Sequence, residues 1–235
     1  MVQSVLITGA SRGLGYCFAR KYLEDGALVF AGVRDMNSES LNLLKQQYPD
    51  KLIPVKLDVT ATSIINEAVK MVEKYTDHID ILINNAAIHS ETSFEVLENA
   101  DIDQCLEVYD INAVGPIRVV KAFLQLLKNS QAAQIINISS ESGSISTCKR
   151  EKEFDYCMSK AALNMGTKLL SNYLKKDNIK VLAVHPGWMR TDMGGSNAAL
   201  DPYETACQLV NLFNQSNNQG DEPIFIDNTG NEFPW

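Results

Sequence analysis

Tyr156 and Lys160 stand four residues apart in Tyr156-Cys157-Met158-Ser159-Lys160. On a helix, residues i and i+4 share a face, so the phenol and the ammonium would lie side by side. A neighbouring ammonium favours phenolate and would lower the tyrosine from about 10 toward neutrality, a general acid/base usable at cellular pH. An ordinary surface pair has the same spacing, and eight tyrosines make it common by chance. A second group is Thr8-Gly9-Ala10-Ser11-Arg12-Gly13-Leu14-Gly15. Gly9 permits a tight turn, Gly13 a close approach of backbone to phosphate, and Gly15 close packing of the next helix. A helix opening here offers free N–H groups and a positive dipole end to a pyrophosphate. The competing reading is a plain strand-to-helix turn.

Pro116 follows Gly115 inside a long helical pattern. Proline has no N–H for the carbonyl four residues back, that of Asn112. The helix should kink there and leave a carbonyl that needs water or a ligand. Ser139 and Ser140 close an apolar run, either as strand punctuation or as hydroxyls aimed into a crevice. His185 precedes Pro186 and reads as a satisfied core histidine. Asp58 reads equally as a ribose or base partner and as a helix N-cap.

These groups need elements to hold them. Val2–Thr8, Ala27–Val33, Leu52–Leu57, Ile79–Asn84, Gln134–Ser139, Lys180–His185 and Ile224–Ile226 read as buried strands. Leu14–Asp25, Ser38–Tyr48, Thr62–Tyr75, Asp101–Lys128, Phe154–Lys176 and Tyr203–Gln215 read as helices. Alternation of the two predicts one α/β domain over residues 1–235, a doubly wound parallel sheet of about seven strands. Asn214–Asp221 reads as a surface loop. Ligands of such sheets bind at the carboxyl ends of strands, where the glycine loop, Asn84-Asn85-Ala86-Ala87, Ser139-Ser140 and Pro186-Gly187 all fall.

Composition removes other classes. Of 235 residues, 21 are basic and 29 acidic, a net charge of −8, which disfavours binding to nucleic acid. No window approaches the ~20 apolar residues of a membrane span. Met1–Thr8 lacks a basic n-region and a cleavage site, so it reads as a strand and not a signal peptide. Five scattered cysteines without a CxxC pair suit a reducing cytoplasm, and three scattered histidines suggest no metal site.

In order, the chain shows Thr8-Gly9-(x3)-Gly13-x-Gly15, Asp58-Val59, Asn84-Asn85-Ala86, Asn112, Ser140, Tyr156-(x3)-Lys160, and Pro186-Gly187 with Thr191. Each piece is weak, but the ordered set resembles the short-chain dehydrogenase/reductase family over nearly the whole chain. His185–Gly195 and the ending Gly230–Trp235 look like its carbonyl-reductase subgroup, called Sniffer-like or C-factor-like. The resemblance implies a Rossmann-type fold and reduction of a small-molecule carbonyl by NADPH. Tyr156 would give the proton to the substrate oxygen. Lys160 would lower its pKa and hold the nicotinamide ribose. Ser140, not Ser139, would orient the carbonyl. Asn112 would anchor a water linking Lys160 to solvent. Thr191 would hold the carboxamide, and Asn85-Ala86 the adenosine ribose. Thr8, Gly9, Ser11, Arg12, Gly13, Leu14, Gly15, Arg34, Asp58, Val59, Ala87, Pro186, Gly187 and Trp188 complete the expected cofactor contacts. An NAD-dependent alcohol dehydrogenase and a non-catalytic dinucleotide sensor are the alternatives.

Two departures stand out. Ala87 occupies a position where the family often has Gly. The gap from Ser140 to Tyr156 exceeds the family's common one by about three residues, within the charged stretch Lys149–Glu153. His89, Ser142, Trp188 and Met193 should border the substrate pocket, under a small, open, mobile lid after Thr191. NADPH is favoured over NADH because Val33 holds the usual acid position, while Arg34 and Arg12 could converge on a 2′-phosphate. Asp35 could serve as the acid if the strand runs longer. A homodimer or homotetramer is expected through the helix Phe154–Lys176, whose Ala161, Ala162 and Gly166 form a small-residue face.

Overall fold

Along β1 (Ser4–Thr8), Val5 and Ile7 enter one apolar cluster and Leu6 the opposite one, and all three are sealed from solvent. A strand apolar on both faces needs cover on both. The computed structural model, which describes residues 2–215 and 224–235, supplies it. The remaining strands are β2 (Leu28–Val33), β3 (Leu52–Lys56), β4 (Ile81–Asn84), β5 (Gln134–Ile138), β6 (Lys180–His185) and β7 (Phe225–Asp227). They pair in parallel in the order β3-β2-β1-β4-β5-β6-β7. The order reverses between β1 and β4, which opens a crevice at their carboxyl ends.

On the Val5–Ile7 face lie α1 (Gly13–Glu24), α2 (Glu39–Gln47) and α7 (Pro202–Gln215), with Phe18 and Phe213 in ring contact at 6.2 Å. On the Leu6 face, α3 (Thr62–Val72), α5 (Gly115–Asn129) and α6 (Phe154–Leu174) contribute Ile65, Phe123 and Leu174. At about 25 cal/mol per Å² of buried apolar area, these two clusters are the main force holding the sheet.

Most strand and helix limits differ from the expected ones by one to three residues. The larger correction concerns Asp101–Lys128, expected as one kinked helix. It is a 3₁₀ turn (Ile102–Gln104), a short α4 (Cys105–Tyr109), a π-helical turn (Asp110–Val114) and then α5. Pro116 is the physical reason: with its N–H missing, the ladder widens and Gly115 N–H donates to Asp110 C=O, five residues back. Gly166, expected on a small-residue face of α6, also packs within the chain. A Cβ there would stand 3.2 Å from Ile117 Cδ1, a close approach of α6 to α5. Residues 216–221 of the expected loop lie outside the described residues. Among the described residues, no helix is long and apolar enough to cross a membrane. Nor does any cluster of three or more His, Cys, Asp or Glu among them fit a metal ion.

Candidate active site

The turn after β1 is built from main chain. Gly9 has φ of +67°, and a Cβ there would lie 3.0 Å from Ala86 Cα. Thr8 Oγ1 accepts the N–H groups of Asn85 (3.0 Å) and Ala86 (3.1 Å), and Asn85 Nδ2 returns bonds to the carbonyls of Thr8 (3.0 Å) and Gly9 (3.2 Å). A side chain on Gly15 would strike Gly9 O and Asn85. Thr8 and Gly15, expected to touch the cofactor, therefore do not line the cleft. They lock the β1 turn to the β4 turn. Arg12, at the N-cap of α1, makes no side-chain cap, so the first-turn N–H groups lack the usual hydroxyl or carboxylate partner. Such a terminus is suited to an anion.

The cleft has a volume of about 760 Å³. Its near wall holds Gly9, Ser11, Arg12, Gly13, Leu14, Arg34, Asp35, Asp58, Val59, Asn85, Ala86 and Ala87. Its far wall holds Ser140, Ser142, Tyr156, Lys160, His185, Pro186, Gly187, Trp188, Thr191 and Met193, with His89 and Phe94 at the mouth. All four expected pocket residues lie here, as do the expected cofactor contacts other than Thr8 and Gly15. Two hydrogen bonds order the start of the segment after Thr191: Thr191 Oγ1 accepts Gly194 N–H (3.1 Å) and Trp188 Nε1–H donates to Gly194 C=O (2.8 Å). Arg12 does not point freely at Arg34. Its Nη1 pairs with Asp192 Oδ2 at 2.6 Å across the mouth.

At the far wall the side chains hold one another. Ser139 and Ser140 both line the cleft, but Ser139 Oγ–H donates to buried Asn164 Oδ1 (2.6 Å), so its hydroxyl proton is turned into the protein. Ser140 Oγ accepts Ser142 N–H at 3.1 Å. Lys160 Nζ donates to Ile138 C=O (2.8 Å) and lies 5.4 Å from the Tyr156 ring centre. Asn112 lies behind the wall. Its amide donates to Ile88 C=O (2.8 Å) and Ser159 Oγ (3.0 Å) and accepts Ile88 N–H (2.9 Å), tying the β4 turn to α6. Ser159 Oγ–H donates in turn to Tyr156 C=O.

The expected lowering of Tyr156 is not found. Burial pushes its phenol up to about 12, with the Ser140 hydroxyl and Arg150 pulling the other way. Burial also presses Lys160 down to about 7. The physical reason is that desolvation opposes charge on both partners at once.

Two neighbours of the cleft are not singled out individually by the sequence, although the charged stretch that holds Arg150 stands out as a departure next to the pocket. Arg150, from the charged insertion, binds Glu141 and Glu153 at the mouth. Asp155, buried at the start of α6, accepts Ser90 N–H and Ser93 Oγ–H, each at 2.7 Å. An acid one residue before the tyrosine, in the first turn of a helix, was the only available hint.

Fold and cleft together define a doubly wound α/β protein of Rossmann type, with Ser140, Tyr156 and Lys160 gathered in one cleft at the carboxyl ends of its strands. The chain belongs to the short chain dehydrogenase family, whose profile matches residues 3–200, and is thus an oxidoreductase. C-signal of Myxococcus xanthus is 32% identical over 160 residues, covering 68% of this chain and 95% of that one. An NADPH-bound carbonyl reductase from chicken fatty liver superposes with TM-score 0.90 at 32% identity, covering 100% and 99% of the two chains. The carbonyl reductase Sniffer of D. melanogaster gives 0.91 at 30% identity, covering both chains fully.

Proposed function

We propose that this protein is an NADPH-dependent carbonyl reductase acting on a small aldehyde or ketone. The observation that carries the reading is one cleft with an uncapped helix terminus at one end and Ser140, Tyr156 and Lys160 at the other. The glycine cradle, where side chains would collide, fits a dinucleotide. Its pyrophosphate would rest on the N–H groups at Gly13 and Leu14, with the ribose near Asn85–Ala87 and Asp58, and the carboxamide near Thr191. When bound, NADPH supplies the hydride.

The chain's own residues supply the rest. Tyr156, held near 12, is fully protonated at neutral pH and gives its proton to the substrate oxygen. Ser140 donates a hydrogen bond to that oxygen and stabilises the charge developing there. Lys160, near 7, exchanges protons at neutral pH and can replenish Tyr156. Asn112 has its amide fully engaged, so any water it anchors rests on its main-chain carbonyl. Preference for NADPH rests on Arg34 and Arg12. Asp35 stands in the same wall and is the group through which NADH would be accepted.

The test is loss of NADPH absorbance with a panel of activated aldehydes and diketones. Turnover that Tyr156→Phe abolishes supports the reading. Equal efficiency with NADH and oxidation of alcohols would favour the NAD-linked dehydrogenase. Cofactor binding without turnover of any panel member would favour a sensor.

We further propose a cytoplasmic homodimer or homotetramer. Its supporting surface is an exposed apolar stripe of Leu106 and Tyr109 beside Met158, Met165, Leu169 and Tyr173 on α6. Light scattering that returns only a 26.1 kDa particle at micromolar concentration would contradict it.

A further inference from the structure

His185, at the end of β6, lines the cleft but has no part in the reaction above. Its Nδ1 lies 3.0 Å from the backbone nitrogen of Glu141. A backbone N–H can only donate, so Nδ1 carries the lone pair and the ring proton sits on Nε2. Glu141 opens a 3₁₀ turn, Glu141–Gly143, of which Ser140 is the N-cap. All three N–H groups of that turn are accounted for. Glu141 donates to His185, Ser142 to Ser140 Oγ, and Gly143 to Ser140 C=O. The turn's other side is fixed to α6: a Cβ on Gly143 would stand 2.8 Å from the Lys160 backbone, and Asn164 Nδ2 donates to Gly143 C=O. The imidazole is the matching tether to β6.

The ring is itself braced. Phe233 packs on it with centres 5.3 Å apart, and Phe233 N–H donates to Phe225 C=O at 2.8 Å. Trp235 packs on Phe225 (5.3 Å), and its carbonyl accepts Ser146 N–H (2.9 Å), beyond the same turn. Residues 233–235 thus support both the histidine and the segment it holds.

We propose that His185 is a positioning residue for Ser140: its neutral imidazole holds Glu141 N–H, sets the serine hydroxyl opposite Tyr156, and lets go when Nδ1 is protonated. This rests on the carbonyl-reductase reading of the same site. The groups facing the ring are Glu141 and Asp227, which favour its charged form, and Arg150, which opposes it. Burial is the largest influence and keeps the pKa below the ordinary 6.5. The tether is therefore intact at neutral pH and is lost on the acid side.

Two substitutions separate the tether from the packing. His185→Phe keeps a ring against Phe233 and removes the acceptor. His185→Asn restores an acceptor where Nδ1 lies. The expected result is a kcat roughly tenfold lower in His185→Phe, with affinity for NADPH changed by less than about twofold. His185→Asn should recover most of kcat and lack the acid-side fall seen in the wild type. Independently of turnover, ¹⁵N NMR of labelled histidine should show the Nε2–H tautomer at pH 7. Wild-type kcat in His185→Phe, no recovery in His185→Asn, or an Nδ1–H tautomer would each overturn the proposal. Tyr156→Phe is measured alongside: normal turnover there removes the carbonyl-reductase reading, whereas its loss with normal turnover in His185→Phe removes this inference alone.

Discussion

At the β1 end of the cleft α1 opens at Gly13 and Leu14 with main-chain N–H groups left without a side-chain cap. The β5–α6 end presents side chains, and nearly every polar atom behind them is engaged: Ser139 with Asn164, Asn112 with Ile88 and Ser159, Lys160 with Ile138. The first end keeps its donors free for a ligand. The second spends its neighbours' donors on holding Ser140, Tyr156 and Lys160 in place. On the proposed reading, binding and chemistry fall to different kinds of atoms, and substitutions should separate them.

The sharpest separation comes from Tyr156→Phe. It removes one hydroxyl from the side-chain end and leaves the main-chain end untouched. General acid catalysis is typically worth 10²–10⁴-fold, so kcat should fall at least about a hundredfold while NADPH still quenches protein fluorescence. Lys160→Ala should lower both, because on the proposed reading Lys160 holds the nicotinamide ribose as well as replenishing Tyr156. Equal loss of binding and turnover in Tyr156→Phe would break the division.

Asp155 tests the scaffold of the side-chain end. Burial works to raise its pKa, but the bonds from Ser90 N–H, Ser93 Oγ–H and Tyr156 N–H win and hold it low. Asp155→Ala leaves Ser90 N–H and Ser93 Oγ–H without these acceptors and should cost about 1–3 kcal/mol in urea unfolding at pH 7. A lowered folded pKa gives stability that is full above the unfolded value, near 3.9, and is lost as pH falls through the folded one. The gap between wild type and Asp155→Ala should therefore shrink below pH 4. A gap independent of pH would show that packing, not charge, is at stake.

Arg34→Ala probes the cofactor end. One charged hydrogen bond to a phosphate is worth ~1.5–3 kcal/mol, so kcat/KM with NADPH should fall about tenfold or more, with little change for NADH. Equal loss with both cofactors would show that Arg34 does not read the phosphate.

The same contrast explains what was legible in the chain. Glycine positions and apolar runs are local signals, so the order of strands and helices and the turn at Gly9–Gly15 could be read directly. Ser140, Tyr156 and Lys160 stand out as candidates through their order and spacing. The bond from Glu141 to His185 joins residues 44 apart, and that from Ser90 to Asp155 joins residues 65 apart. Such pairings follow from strand order and leave no periodic trace. Pro116 did announce a break near Asn112, but how the backbone would absorb it, by a π turn, depended on packing around Gly115, where a Cβ would strike Val59.

The finest test concerns Arg12, which the structure places in an ion pair with Asp192 at 2.6 Å, both side chains about three-quarters exposed (74% and 73%). To meet a 2′-phosphate the guanidinium must give up this partner, and the carboxylate left behind would repel the phosphate. Exposed pairs are typically worth 0.2–1 kcal/mol, so Asp192→Asn should tighten NADPH by no more than about fivefold. NADH, without the phosphate, should be unaffected. The gain should shrink at high salt, because charges this exposed are screened. In an Arg12→Ala background the Asp192→Asn gain should be smaller, since the competition for the guanidinium is gone and only the repulsion of the phosphate is relieved. Isothermal titration of the four proteins closes the cycle. Weaker NADPH binding in Asp192→Asn would reverse the argument, making the bridge across the mouth part of the bound state instead of a competitor to it.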